Sequence, residues 1–154
     1  MTRSSELLKS AANPVLLSVH PKFAIAIATG SKRVEFRRRW PSVPTDLAVV
    51  YATSPTQSIV AIIEIEEVVR ESKSRLWELA RTNGGGVTRQ ALHDYLHGLS
   101  SGVALRLGRR LAFHKHVSPE DVFARPFTAP QSFRYLRPAE ICAISQILGD
   151  QSWD

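Results

Sequence analysis

The sequence predicts an α+β fold: a small, curled, mixed but mostly antiparallel sheet or barrel of five or six strands, with helices packed around it. Three observations carry this. Short apolar runs rich in branched residues, VLLSV, LAVVYA and IVAII, recur between turn-forming residues. Stretches with helical apolar spacing and recognisable caps separate them. The 154 residues show no internal repeat and no linker, so one core is expected.

Residues 4–12 have helical spacing and must stop before Pro14. Residues 15–19 are a compact apolar strand. His20-Pro21 then opens a helix, because proline suits the first helical position, and Gly30 closes it. Residues 32–39 alternate as a second strand that Trp40-Pro41 ends. Residues 47–52 form a third, closed by the turn Ser54-Pro55, and residues 59–69 a fourth. The start of the fourth is almost continuously apolar, as a strand covered on both faces would be.

Residues 74–81 and 89–99 follow as helices, the second with Thr88 as its N-cap. Gly84, Gly85 and Gly86 between them read as a flexible connector. Residues 102–107 and 110–117 are expected to pair as a hairpin turned at Gly108-Arg109. A short turn at residues 118–121, a proline-punctuated loop and an extended piece at residues 131–135 lead to a last helix opening at Arg137-Pro138. The boundaries are set at 1–13 for an N-terminal helical extension and 14–150 for the single domain.

Hydrophobic residues make up 44% and charged residues 22%, which is a globular balance and excludes a disordered chain. No apolar run is long enough to span a bilayer, and no membrane partner is expected. Cys142 is the single cysteine, which excludes a disulfide framework and a cysteine-rich zinc site, and points to an intracellular, cytoplasmic setting. The net charge of +6 favours phosphate-rich partners.

The most informative stretch is GSKRVEFRRRW. Alternation sets Val34 and Phe36 on one face and Arg33, Glu35, Arg37 and Arg39 on the other, with Arg38 between. Flanking guanidinium groups favour the ionised form of Glu35, which suits an acceptor or a clamp better than a general acid. Lys32 at the strand's entrance is a base if the fold desolvates it, and a phosphate contact otherwise. Near the C-terminus, Phe133 and Tyr135 alternate with Ser132 and Arg134, an arrangement that either stacks bases beside phosphate contacts or plugs the end of a barrel. His93 and His97 stand four apart on a helix, but the acid between them is the short Asp94 and no third ligand follows, so no metal and no cofactor is expected.

The run VLLSV, HPKFAIAIATG, SKRVEFRRR, with Gly30, Lys32, Glu35 and Arg37 matching G-x-K-x-x-E-x-R, resembles the ASCH domain family, a branch of the PUA-like fold. The segment PQSFRYL resembles a feature of one bacterial subgroup. The resemblance implies a small PUA-like β-barrel with a cleft beside the first long helix and second strand. It also implies RNA or a modified nucleoside as the ligand. Activities in the family range from RNA binding without chemistry to hydrolysis of N4-acetylcytidine and cleavage of RNA phosphodiesters. The implied catalytic candidates are Lys32, Glu35 and, at the end of the third strand, Tyr51. Arg33, Arg37, Arg38, Arg39, Ser54, Ser132, Phe133, Arg134 and Tyr135 are the nucleic-acid-binding candidates. One departure matters: the amidohydrolase branch carries a threonine nucleophile where Glu35 stands here, and a carboxylate is no direct substitute for an activated hydroxyl.

Overall fold

A computed structural model describes residues 4–149, 151 and 153, so the domain limits expected at residues 1 and 150 lie outside the described residues. In chain order the elements are α1 (Ser4–Ser10), β1 (Val15–Val19), α2 (Pro21–Thr29), β2 (Val34–Arg37), β3 (Leu47–Ala52) and β4 (Ser58–Ser72). They continue with α3 (Lys73–Thr82), α4 (Arg89–Tyr95), β5 (Ser101–Val117), a single 3-10 turn (Pro119–Asp121), β6 (Phe133–Tyr135) and α5 (Pro138–Leu148). The six strands form one sheet in the order β2-β5-β4-β3-β1-β6. β1 and β3 run parallel, and the other neighbours are antiparallel. The sheet curls into a half-barrel with five helices around it, as the sequence predicts.

β1 and β3 are buried at every position, which explains their uninterrupted apolar sequences. α2 starts at Pro21, and the His20 imidazole accepts from the Lys22 N–H at 3.2 Å in place of a serine or aspartate cap. Gly30 ends the helix in the left-handed conformation, with φ of 87°. The strand expected over residues 32–39 is shorter: the Lys32 N–H donates to the Ala26 carbonyl and the Arg33 N–H to the Gly84 carbonyl, so pairing begins only at Val34. α4 ends at Tyr95, before the expected residue 99.

The expected hairpin at Gly108-Arg109 does not form. β5 is one strand of 17 residues that pairs with β4 along its length. Gly108 sits instead at a bulge, where the register slips between Leu107 opposite Ile65 and Arg110 opposite Ile63. The Arg109 N–H leaves the ladder there and donates to Glu64 Oε1 at 3.1 Å. A Cβ on Gly108 would lie 2.7 Å from the flexible, exposed side chain of Glu66, so the glycine marks a bulge and not a turn.

Three apolar clusters fill the molecule. One lies between the sheet and α2, with Leu17, Ile27, Val50 and Leu105. The second packs α1 and α5 on the other face, with Leu8, Leu16, Ile62 and Ile144. The third joins α3 and α4 to Val34 and Phe36 of β2. Among the described residues, no helix is long and apolar enough to cross a membrane.

Candidate functional site

β2 is buried on both faces. Alternation sends Val34 and Phe36 into the third cluster and sends Glu35 and Arg37 to the floor of a cleft of about 830 Å³. Lys32 enters the same floor from the loop before β2. Its Nζ donates to the Gly85 carbonyl and lies 3.7 Å from Glu35 Oε1. Arg37 Nη2 donates to Glu35 Oε2 and to the Ser18 carbonyl, each at 2.8 Å. Lys32, Glu35 and Arg37 are 2%, 6% and 7% exposed, so three formal charges sit together out of water.

Burial lowers the Lys32 pKa from the ordinary 10.5. Glu35 works against that shift by attraction and hydrogen bonding, and Arg37 adds to it by repulsion. The faces of Phe23 and Phe36, 4.8 and 5.4 Å from Nζ, give the ammonium part of the contact it loses from water. The residues 84–86, expected as a loose connector, form the wall against which Lys32 lies. Gly85 supplies its carbonyl, and Gly86, at φ of 69°, leaves only 3.3 Å between an added Cβ and the lysine stem.

The walls are His20, Phe23, Tyr95 and Phe133, with Arg38, Arg39 and Ser132 at the rim. The Arg38 guanidinium donates to the carbonyls of Tyr95 and His97, at 2.6 and 3.0 Å, and so holds the C-terminus of α4 against the cleft. Ser132 Oγ stands 3.4 Å from Arg37 Nη1. The floor thus offers a carboxylate acceptor, guanidinium donors and a lysine whose proton is loosened, beneath aromatic faces.

Lys32, Glu35, Arg37, Arg38, Arg39, Ser132 and Phe133 are therefore brought together. The remaining candidates are not. Arg33 precedes β2, turns away and lines a separate groove with Glu66 and Arg106. Tyr51 belongs to the second cluster with Leu47 and Val49, its ring 5.3 Å from that of Phe127, because alternate residues of β3 face away from the cleft. Burial raises its phenol pKa. Ser54 lies in the exposed turn after β3. Arg134 points to the other face, where it meets Glu140 with two bonds of 2.9 and 2.8 Å over the ring of Phe123. Tyr135 lies outside the lining, edge-on to Phe133.

His20, Phe23 and Tyr95 are cleft residues that sequence reasoning missed. The His20-Pro21 helix start was a usable signal, since a side chain at that position is held by the first turn and stays at the strand–helix corner. Among the described residues, no three histidine, cysteine, aspartate or glutamate side chains gather where a metal ion would fit. His93 buries its Nε2 without a hydrogen-bond partner among the described residues.

The sequence model of the ASCH domain matches residues 17–101. A curated relative, the ASCH domain-containing ribonuclease of Zymomonas mobilis, is 30% identical over 131 residues, covering 81% of this chain and 85% of the relative. The crystal structure of ASCH from Zymomonas mobilis superimposes with a TM-score of 0.80 at 27% identity, covering 88% of this chain and 95% of that one.

Proposed function

The chain belongs to the ASCH domain family, and from that premise we propose that it binds single-stranded RNA in the Lys32 cleft and cleaves it by phosphodiester transfer. The observation that carries this reading is the buried Lys32–Glu35–Arg37 floor under aromatic walls. The name of the Zymomonas relative, a ribonuclease, supports it.

In this reading, burial lowers the pKa of Lys32, so its neutral amine is easier to reach than that of a solvated lysine. The amine takes the proton of a ribose 2′-hydroxyl, the 2′ oxygen bonds to phosphorus, and the bond from phosphorus to the 5′ oxygen breaks. The departing oxygen takes its proton from water at the open mouth of the cleft. Arg37 faces the charge that develops on the phosphoryl oxygens. Glu35 is a positioning residue that holds both cations. Tyr95 and Phe133 offer stacking surfaces for bases.

The test uses a labelled single-stranded oligonucleotide, all-ribose or with 2′-deoxyribose at the cut position. The native chain is expected to cut only the first. Lys32→Arg stays protonated and so cannot take up a proton, and should bind normally while losing about 10²-fold or more in rate. Full activity in Lys32→Arg would remove the lysine from the chemistry. Tight binding with no cutting by the native chain would make the protein a recognition module.

A further inference from the structure

A second groove opens beside the cleft and shares Arg38 and Arg39 with it. Its volume is about 240 Å³, and Trp40, Arg70 and the first residues of β5 complete it. Three arginines line it and no carboxylate does. Their hydrogen bonds go to main-chain carbonyls: Arg38 to Tyr95 and His97, and Arg70 to Pro41 at 2.9 Å. Arg39 meets no hydrogen-bond or ion-pair partner among the described residues. A carbonyl fixes a guanidinium in place but leaves its charge uncancelled.

The groove beside Arg33 is the contrasting case. It is larger, about 630 Å³, and it also holds arginines. There two of the four lining arginines are paired, Arg109 with Glu64 at 2.6 Å and Arg106 with Glu67 at 3.2 Å, Arg110 bonds to the Ala28 carbonyl, and Glu66 stands in the wall. Carboxylates thus offset part of that groove's positive charge and weaken its pull on a polyanion.

Trp40 adds an independent observation. It is 6% exposed, and its indole N–H finds no acceptor among the described residues. Its ring lies 4.6 Å from that of Phe133, so one aromatic wall runs from the cleft into the groove.

We infer that the Arg39–Arg70 groove is a second phosphate subsite, through which a single-stranded polynucleotide leaves the Lys32 cleft, so that the ligand is a polymer and not a free nucleoside. This rests on the RNA reading above.

The test is fluorescence anisotropy with a uridine mononucleotide, a tetramer and an octamer, all 2′-O-methylated so that the chain cannot cut them. Affinity of the native chain should climb with length. Arg70 is exposed and, among the described residues, bonded only to a carbonyl, so Arg70→Glu should fold normally. It should weaken octamer binding by about tenfold or more and lower the salt slope by roughly 0.7, with mononucleotide binding within about twofold of native. Trp40→Phe keeps one aromatic ring but loses the indole N–H with the fused pyrrole half, and should weaken the octamer selectively. Three results overturn the inference: no gain with length, a full gain in Arg70→Glu, or loss of the gain in Arg106→Ala/Arg109→Ala instead. Absence of all binding, mononucleotide included, would remove the RNA reading and this inference together.

Discussion

Arg37 donates to the carbonyl of Ser18 at 2.8 Å and so ties β2 to β1, two strands that no ladder joins. The same nitrogen holds the Glu35 carboxylate. One guanidinium therefore spans the open side of the half-barrel and sets the acceptor on the cleft floor.

Glu35→Gln tests how much that floor depends on charge balance. It leaves Lys32 and Arg37 buried without a counter-charge. Removing one partner of a buried pair costs about 3–5 kcal/mol, and urea unfolding should show a loss of that size. A loss below about 1 kcal/mol would mean that the two cations find other partners at little cost.

Lys32→Met tests the lysine by its proton. Burial holds the folded value below 10.5, so the unfolded chain binds this proton more tightly than the folded one. Below its lowered folded value the lysine is charged, and the fold carries the cost of burying that charge. That cost fades as pH rises through the lowered folded value toward 10.5. The native chain should therefore gain stability relative to Lys32→Met as pH climbs over this window. Parallel stability curves would show that the lysine titrates as it does in water.

The local parts of this fold were legible. β1 and β3 declare themselves by unbroken apolar runs, and α2 by proline at one end and glycine at the other. What misled were features whose meaning lies in a distant partner. Gly108 looks like a turn because glycine and charge adjoin, yet it sits at a bulge whose register is set by the neighbouring strand. The glycines at 84–86 look loose because nothing near them in sequence needs a carbonyl, whereas Lys32 does. Arg134 looks like a phosphate contact in an alternating strand, but the chain turns back and brings Glu140 under it. Lys32, Glu35 and Arg37 could be read because one loop and one short strand carry all three, so their spacing survives in the sequence.

Arg134→Ala separates structure from binding. The Glu140 carboxyl feels burial, which raises its pKa, but bonds from Arg134 and the Arg137 N–H outweigh this and bring it below 4.5. The pair's contribution is present above the unfolded value of 4.5 and is lost as pH falls through the lowered folded value. Arg134→Ala should cost about 1–2 kcal/mol at neutral pH and leave RNA affinity within about twofold. A large affinity loss with unchanged melting would return Arg134 to the interface.

N4-acetylcytidine tests the other chemistry of the family. Amide hydrolysis needs a nucleophile at the carbonyl carbon, and the candidate position holds Glu35, clamped by Lys32 and Arg37. Chromatography should detect little or no cytidine from the native chain and only a small gain in Glu35→Thr. Rapid release by the native chain, lost in Lys32→Ala, would put amide hydrolysis ahead of phosphodiester transfer.

β4 and β5, the two longest strands, are common to all three apolar clusters: Val60 and Val103 serve the first, Ile62 and Leu111 the second, and Ala104 with the half-buried Val69 the third. The domain consequently has no half that can melt alone. A helical layer can fray, but the amides of Ile62 and Leu105 meet solvent only when every layer has let go of the ribbon, so they should exchange hydrogen last and together.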